Sequence, residues 1–155
     1  MTQRLDIDTF KTVVASTPLV SIDLIVRNSI NQVLLGLRSN RPAQGYWFVP
    51  GGRICKDETF DEAFLRLTCI ELGKPIHIEN AKFIGPYQHL YDDNFSGEKF
   101  STHYVVLGYE LSTELSLSEL PQDQHNKYKW WNIDDLLDST KVHGNTKAYF
   151  SDLYK

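Results

Sequence analysis

Hydrophobic residues recur along the chain with two spacings, and these spacings separate helices from strands. Residues 8–16 (DTFKTVVAS) predict a short helix that stops before Pro18. The apolar runs SIDLIV and VLLGLR, joined by the turn-like NSINQ, predict a β-hairpin. The loop SNRPAQG and the short aromatic strand YWFVP then lead into Gly51 and Gly52.

A longer amphipathic helix is predicted over residues 59–72. Thr59 and Glu62 form the pattern of a capping box at its start, and Gly73 suits the left-handed position that follows its end. Pro75 then prevents the helix from continuing. This helix is therefore bounded by local chemistry at both ends.

One face of this helix combines apolar side chains with a carboxylate. Helical spacing places Phe60, Phe64, Leu67 and Glu71 along one stripe. A carboxylate in the last turn opposes the helix dipole, and a buried unpaired charge is costly. Two interpretations stay open: Glu71 reaches water in the last turn, or it faces a cavity beside the Gly-Gly turn as a metal ligand.

The second half of the chain adds three strands and two helices. The strands are predicted at KFIGPYQHLY, THYVVLGYEL and KYKWWNI, and the helices at DDLLDS and near NTKAYFSDLY. The polar loops DDNFSGEK and SLSELPQDQHN join the strands. Together the pattern predicts an α/β fold, a mixed β-sheet sandwich flanked by helices, in one domain over residues 1–155.

Composition narrows the classes of function. The formal net charge of −4 argues against a nucleic-acid partner, and no apolar run reaches the roughly 18 residues of a membrane span. The polar N-terminus is unlike a secretory signal, and Cys55 and Cys69 are expected to be reduced thiols in a cytoplasmic protein. Four arginines fall within 27 residues: Arg27, Arg38, Arg41 and Arg53. Such a cluster fits a small anionic ligand, or arginines scattered over the surface.

Residues 52–73 resemble the Nudix box, whose pattern is G-x5-E-x7-R-E-U-x-E-E-x-G-U with U an aliphatic residue. The positions in register are Gly52, Glu58, Arg66, Glu71 and Gly73. The departures are Leu67 and Ile70, at positions of metal-binding glutamates, and Thr68 and Lys74, at aliphatic positions. The resemblance implies that Glu58 and Arg66 pair with each other or with backbone. Ordinary Nudix hydrolases hold divalent cations with several carboxylates to activate water at phosphorus, and one remaining glutamate does not suit that mechanism.

The resemblance extends over about residues 9–150 to the GDP-mannose mannosyl hydrolases, and RPAQGYWFVPGGR and QHLYDDNFSG carry it. It implies a Nudix fold, a homodimer, and Mg²⁺-dependent hydrolysis of GDP-mannose, with GDP-glucose and Mn²⁺ as alternatives. In this family water attacks the anomeric carbon with inversion and releases GDP and free mannose. A single cation that neutralises the departing diphosphate then suffices, which accounts for the missing glutamates.

The resemblance also implies roles for individual residues near the cation and the attacking water. The implied metal ligands are Glu71, the side-chain oxygen of Gln124 and the carbonyl of Gly52, with Gly51 as its alternative. His125, in the predicted loop PQDQHNK, is the expected general base, since an imidazole titrates near neutral pH. An inverting reaction needs such a base on the face opposite the leaving group.

Further side chains are expected around the diphosphate and the sugar. Arg38 assists the departure of GDP, because a guanidinium matches phosphate oxygens, and Arg53 reaches the same phosphates. By the same resemblance His89 and Tyr104 stabilise the leaving group, and Asp23 contacts the sugar hydroxyls. From the residues alone, each also fits a structural role: a solvent-exposed arginine, a core tyrosine, a satisfied histidine or a partnered carboxylate.

Two other functions remain open at the level of sequence. A conventional pyrophosphohydrolase would give GMP and mannose 1-phosphate, but Leu67 and Ile70 remove ligands that this chemistry requires. An inert Nudix domain that binds a nucleotide or a protein would be expected to have lost Gln124, His125 or Arg38, and all three are present.

Overall fold

The computed structural model describes residues 4–121 and 125–155, with the side chains of residues 125 and 126 excepted. The described α-helices are α1 (Ile7–Ser16), α2 (Phe60–Leu72), α3 (Ile133–Asp138) and α4 (Gly144–Lys147). The strands are β1 (Leu19–Arg27), β2 (Val33–Arg38), β3 (Trp47–Phe48), β4 (Gly51–Arg53), β5 (Lys82–Tyr91), β6 (Thr102–Ser112) and β7 (His125–Trp131). In this part of the chain no helix is both long and apolar enough to cross a membrane.

The strands form one mixed sheet around β1. Strand β1 runs parallel to β6 along its whole length, and its other edge pairs with β4 and, at Arg27, with Val33 of β2. Strand β5 extends the sheet antiparallel to β6, and β3 and β7 pair with β2. The sheet with flanking helices confirms the predicted fold class. The predicted hairpin of β1 and β2 meets at its turn, because β4 occupies the edge of β1 farther along.

Alternation along β1 divides the core into two clusters. Ile22, Leu24 and Val26 face α2, where they pack with Phe64 and Leu67. On the other face of the sheet, the second cluster consists of Ile25, Val33, Leu35, Val49, Trp131, Leu136 and Val142. Buried side chains on both faces of the sheet thus hold β1 in the centre of the fold.

Helix α2 confirms the predicted caps and corrects the predicted stripe. Thr59 and Glu62 form the reciprocal capping box, and Gly73 has a left-handed φ of 78°. Phe60 is 56% exposed, so the buried stripe begins one turn later, at Phe64. The carboxylate of Glu71 is only 4% exposed, so the interpretation that it reaches water is wrong.

Three other predictions change in detail. Regular pairing in YWFVP covers only Trp47–Phe48, and it resumes in β4, where Gly51 and Gly52, predicted as a turn, pair with β1. His125, predicted in a loop, begins β7, because this strand pairs with β2 as far as Arg38. The last predicted helix divides into α4 and a 3₁₀ turn at Asp152–Tyr154. Both cysteines are free thiols, as predicted.

Candidate active site

A cavity of about 670 Å³ opens on the face of the sheet opposite α2. Ser21 and Asp23 line it, alternating along β1 with the residues that pack on α2. Of the residues predicted for the site, seven line this cavity: Asp23, Arg38, Gly51, Gly52, Arg53, His89 and Tyr104. They come from five different strands, so the sheet is what brings them together.

Four arginines give the cavity a positive wall. Arg4, Arg38, Arg41 and Arg53 line it, and Asp23 is the acidic residue among the described lining residues. The Nε of Arg38 donates to the carbonyl of Pro42 at 2.9 Å, which directs the guanidinium. Of the clustered arginines, Arg27 lies elsewhere: its Nε is 3.2 Å from Glu110. The other three line one concave surface, where Arg41 also pairs with Asp93 at 3.6 Å and with Glu98 at 3.4 Å.

Aromatic rings form one side of the cavity beside these charges. Phe10 of α1 and Phe95 lie 4.8 Å apart, centroid to centroid, and the guanidinium of Arg53 lies 4.7 Å from the centroid of Phe10. The buried Asn94 stabilises the loop that contains Phe95, because its side-chain amide donates to the carbonyl of Phe100 at 2.7 Å. Helix α1 therefore contributes a wall to the site.

Asp23 is held between two neighbouring strands. Its Oδ2 accepts a hydrogen bond of 2.6 Å from the hydroxyl of Tyr149. A Cβ on Gly51 would lie 2.5 Å from its Oδ1, so only glycine fits beside it. Burial raises the pKa of Asp23 to about 7, although the hydrogen bond from Tyr149 and the charge of Arg38 act in the opposite direction.

His89 and Tyr104 are cross-strand partners on β5 and β6. His89 is buried, and its Nε2 has no hydrogen-bond partner among the described residues. Burial, assisted by His143, lowers the pKa of His89 to about 4, so its imidazole is neutral at pH 7. Burial also raises the pKa of Tyr104, which keeps its hydroxyl protonated and able to donate. This wall of the cavity therefore presents neutral polar groups.

The last turns of α2 lie against Gly52 of β4. A Cβ on Gly52 would lie 2.5 Å from Cδ2 of Leu67, and Glu71 follows Leu67 by one helical turn. Arg66, on the same helix, donates to Glu58 at 2.7 Å and to the carbonyl of Arg53 at 2.8 Å. The prediction that Glu58 and Arg66 pair is thus confirmed.

Comparisons with known proteins identify the family. The NUDIX domain family matches residues 17–153. This chain belongs to the NUDIX domain family. It is 38% identical over 128 residues to the low-salt glycan biosynthesis protein Agl8 of Haloferax volcanii, which covers 83% of the chain and 80% of that protein.

Solved Nudix structures share the fold at low sequence identity. The MutT protein of Methanosarcina mazei has a TM-score of 0.65 at 18% identity, over 90% of this chain and 94% of that one. The NUDIX domain of Shewanella oneidensis NrtR, complexed with ADP ribose, has a TM-score of 0.63 at 19% identity, over 93% and 88%. At these identities the two structures show that the fold is shared, and nothing beyond the fold.

The Nudix box of this chain includes a buried carboxylate beside the glycines of β4. Glu71 is its buried carboxylate, and the backbone of Gly52 lies against the same helix face. Within residues 4–121 and 125–155 no group of three or more His, Cys, Asp or Glu side chains could hold a metal. A carboxylate and a backbone carbonyl are oxygen donors of the kind that Mg²⁺ takes in proteins, usually together with substrate phosphates.

Two predicted residues are placed only in part or not at all. Gln124 lies outside the described residues. The backbone of His125 is described as the Cα partner of Arg38, across the pair of β7 and β2, while its side chain is not. The general base therefore stays a prediction, with its backbone next to a cavity-lining arginine.

Sequence reasoning missed several residues near the site, at both ends of the chain and in its middle. Arg4 and Phe10 near the N-terminus and Tyr91 and Phe95 in the middle line the cavity, and Tyr149 near the C-terminus donates to Asp23. The one sequence signal for Tyr149 was the charge within VSIDLIV, which requires a partner without saying which residue supplies it. Phe10 had no sequence signal beyond its place on an amphipathic helix.

Proposed function

We propose that this Nudix protein hydrolyses a GDP-sugar, GDP-mannose first, to GDP and the free sugar by attack of water at the anomeric carbon with inversion. The observation that carries the proposal is one cavity lined by Arg38, Arg41 and Arg53 and by Asp23, the one acidic residue among its described lining residues. Cationic groups suit a diphosphate, and a lone carboxylate suits a sugar. GDP-glucose is the alternative substrate.

The size and character of the cavity support a nucleotide sugar. Its volume of about 670 Å³ lies within the range of roughly 300–1,000 Å³ for small-molecule sites. The NrtR domain, of the same fold, is complexed with ADP ribose, a nucleoside diphosphate joined to a sugar, and Agl8 is named for glycan biosynthesis. In this chain Phe10 and Phe95 offer an apolar surface to the base.

The reaction assigns a separate task to each group. His125 accepts a proton from water as the water oxygen bonds to the anomeric carbon, and the bond from that carbon to the diphosphate oxygen breaks. The bonding electron pair leaves with GDP. Arg38 and Arg53 stabilise the negative charge of the departing diphosphate. His89 and Tyr104 stabilise the departing group with neutral polar contacts, and Asp23 contacts sugar hydroxyls.

A divalent cation complements these side chains. Glu71, the carbonyl of Gly52 (or Gly51) and Gln124 would hold Mg²⁺, or Mn²⁺ in its place. When bound, such a cation supplies electrostatic neutralisation of the diphosphate. The side chains of this Nudix protein perform the remaining work of orientation and proton transfer.

Pyrophosphate cleavage at phosphorus is the competing reaction. It requires several carboxylates on α2, yet Leu67 is buried in the core and Ile70 is 46% exposed without an acidic group. A binding domain without activity is the second alternative. The arginine-lined cavity supports an active site as well as a binding site, so activity has to be measured.

The deciding experiment is incubation of the protein with GDP-mannose and Mg²⁺ in ¹⁸O-water, with an EDTA-treated sample as control. Heavy oxygen on free mannose and unlabelled GDP is the expected result. Heavy oxygen on phosphate together with GMP would establish pyrophosphate cleavage. Absence of turnover of GDP-mannose and GDP-glucose with either cation would favour the binding domain.

Two coarser proposals accompany the activity. The resemblance to the mannosyl hydrolases supports a homodimer, which light scattering of the purified protein would show as a mass twice the 17.9 kDa of one chain. It also supports a cytoplasmic location, which fractionation of the source cells would test.

A further inference from the structure

The C-terminal segment reaches the site through one side chain. Tyr149 follows α4 and donates its hydroxyl proton to Oδ2 of Asp23 at 2.6 Å, across 126 residues of sequence. Tyr149 is not among the residues that line the cavity, whereas Asp23 is. Any effect of Tyr149 on a ligand therefore passes through Asp23.

Glycines on the neighbouring strands make room for this contact. Gly51 of β4 and Gly108 of β6 are the Cα partners of Asp23 on its two sides, and Gly85 of β5 is the partner of Gly108. A Cβ on Gly108 would lie 3.1 Å from Cε1 of Tyr149, tighter than ordinary contact. The absence of a side chain at Gly108 lets the ring of Tyr149 lie over β6 and reach β1.

Packing fixes the direction of the Tyr149 hydroxyl. The ring of Tyr87 lies 4.5 Å from that of Tyr149 and the ring of His89 lies 6.1 Å from it, both edge to face. Because the ring is held in place, its hydroxyl donates to one carboxylate oxygen of Asp23, Oδ2. The other oxygen, Oδ1, lies on the side of Gly51, a residue that lines the cavity.

We propose that Tyr149 is a positioning residue, which orients the carboxylate of Asp23 so that it accepts a hydroxyl of the substrate's sugar. This inference rests on the proposed function. Tyr149 binds one oxygen of Asp23 and thereby sets the rotamer that presents the other. Because the Tyr149 hydroxyl donates to Asp23, we expect its loss to weaken binding of the mannose and to spare binding of the nucleotide.

The test is a double-mutant cycle with Tyr149→Phe and Asp23→Ala. For each protein we would measure kcat and KM for GDP-mannose and the dissociation constants of GDP and GDP-mannose. A hydrogen bond to a charged group contributes enough for Tyr149→Phe to reduce kcat/KM about 10-fold or more. The affinity for GDP should stay within about 2-fold, since GDP lacks the mannose that Asp23 is proposed to contact. In the Asp23→Ala background, Tyr149→Phe should change little.

Tyr87→Phe is the matched control, because its ring packs on Tyr149 and its hydroxyl is not the donor to Asp23. It should retain kcat/KM, and the melting temperatures of all variants show whether any loss reflects folding. Equal losses in both backgrounds, or a loss of GDP affinity equal to that of GDP-mannose, would overturn the positioning role. Should the wild type not hydrolyse GDP-mannose, the proposed function fails, while the dissociation constants still decide whether Tyr149 acts through Asp23.

Discussion

The side chain of Leu67 occupies the space beside Gly52 that a Cβ on this glycine would need, with 2.5 Å between that Cβ and Cδ2 of Leu67. A position that carries a glutamate in the Nudix box has thus become part of the core. Ile70, at the other lost glutamate, is 46% exposed, whereas Leu67 is 3% exposed. Of the two residues that replace glutamates of the box, Leu67 is therefore buried in the core and Ile70 is exposed on the surface of α2.

Restoring the two acids should have unequal effects on stability. Leu67→Glu places a carboxylate in the core beside Gly52, and we expect it to lower the free energy of unfolding by about 2–4 kcal/mol. Ile70→Glu, on the exposed side of α2, should change it by less than about 0.5 kcal/mol. Urea denaturation of both variants measures the difference. Similar losses in the two proteins would contradict the packing described for Leu67.

Arg38 should be required for turnover, while Arg27 should not. Arg38→Ala removes a guanidinium that faces the cavity, and a charge-assisted contact of this kind makes kcat/KM fall about 10- to 100-fold. Arg27→Ala removes a charge paired with Glu110 outside the cavity and should leave kcat/KM nearly unchanged. Steady-state kinetics with GDP-mannose compare the two. A comparable loss in Arg27→Ala would show that net charge, and not the cavity, decides the rate.

Glu71→Gln should weaken binding of the cation and slow turnover. Glu71 is the buried carboxylate of the box, and replacing it with an amide of the same shape removes the charge that would attract Mg²⁺. We expect turnover to fall about 100-fold or more. Titration with Mn²⁺, followed by electron paramagnetic resonance, should show weaker binding than in the exposed control Glu79→Gln. Unchanged Mn²⁺ affinity in Glu71→Gln would place the cation elsewhere.

His89 should make the protein less stable in mild acid. Its folded-state pKa is lowered to about 4, below the value near 6.5 of an unfolded chain. Between these values the unfolded state binds more protons, so stability falls as pH decreases from 6.5 toward 4. The full contribution is about 3 kcal/mol.

Comparison with His89→Gln isolates this contribution. The raised pKa of Asp23 acts in the opposite direction, but it does so in both proteins. The loss of unfolding free energy between pH 7.5 and pH 5, measured by urea denaturation, should be smaller in His89→Gln than in the wild type. Equal losses would mean that His89 gains a proton without cost in the folded protein.

Local chemistry in the sequence determined much of the fold. The caps of α2 at Thr59 and Gly73 depend on hydrogen bonds between residues a few positions apart, so the sequence places both ends correctly. The apolar alternation likewise places β5 at Lys82–Tyr91. The pair of Glu58 and Arg66 was expected from the resemblance to the Nudix box, and not from local chemistry.

Only the tertiary structure decided which distant residues meet. The parallel pairing of β1 with β6, the burial of Glu71 and the contact of Tyr149 with Asp23 join segments far apart in the chain. The sequence indicated that Asp23 requires a partner, because a charge within an apolar run is costly. It could not name Tyr149, because that choice depends on the space above Gly108 after the strands have paired, and no local pattern records that space.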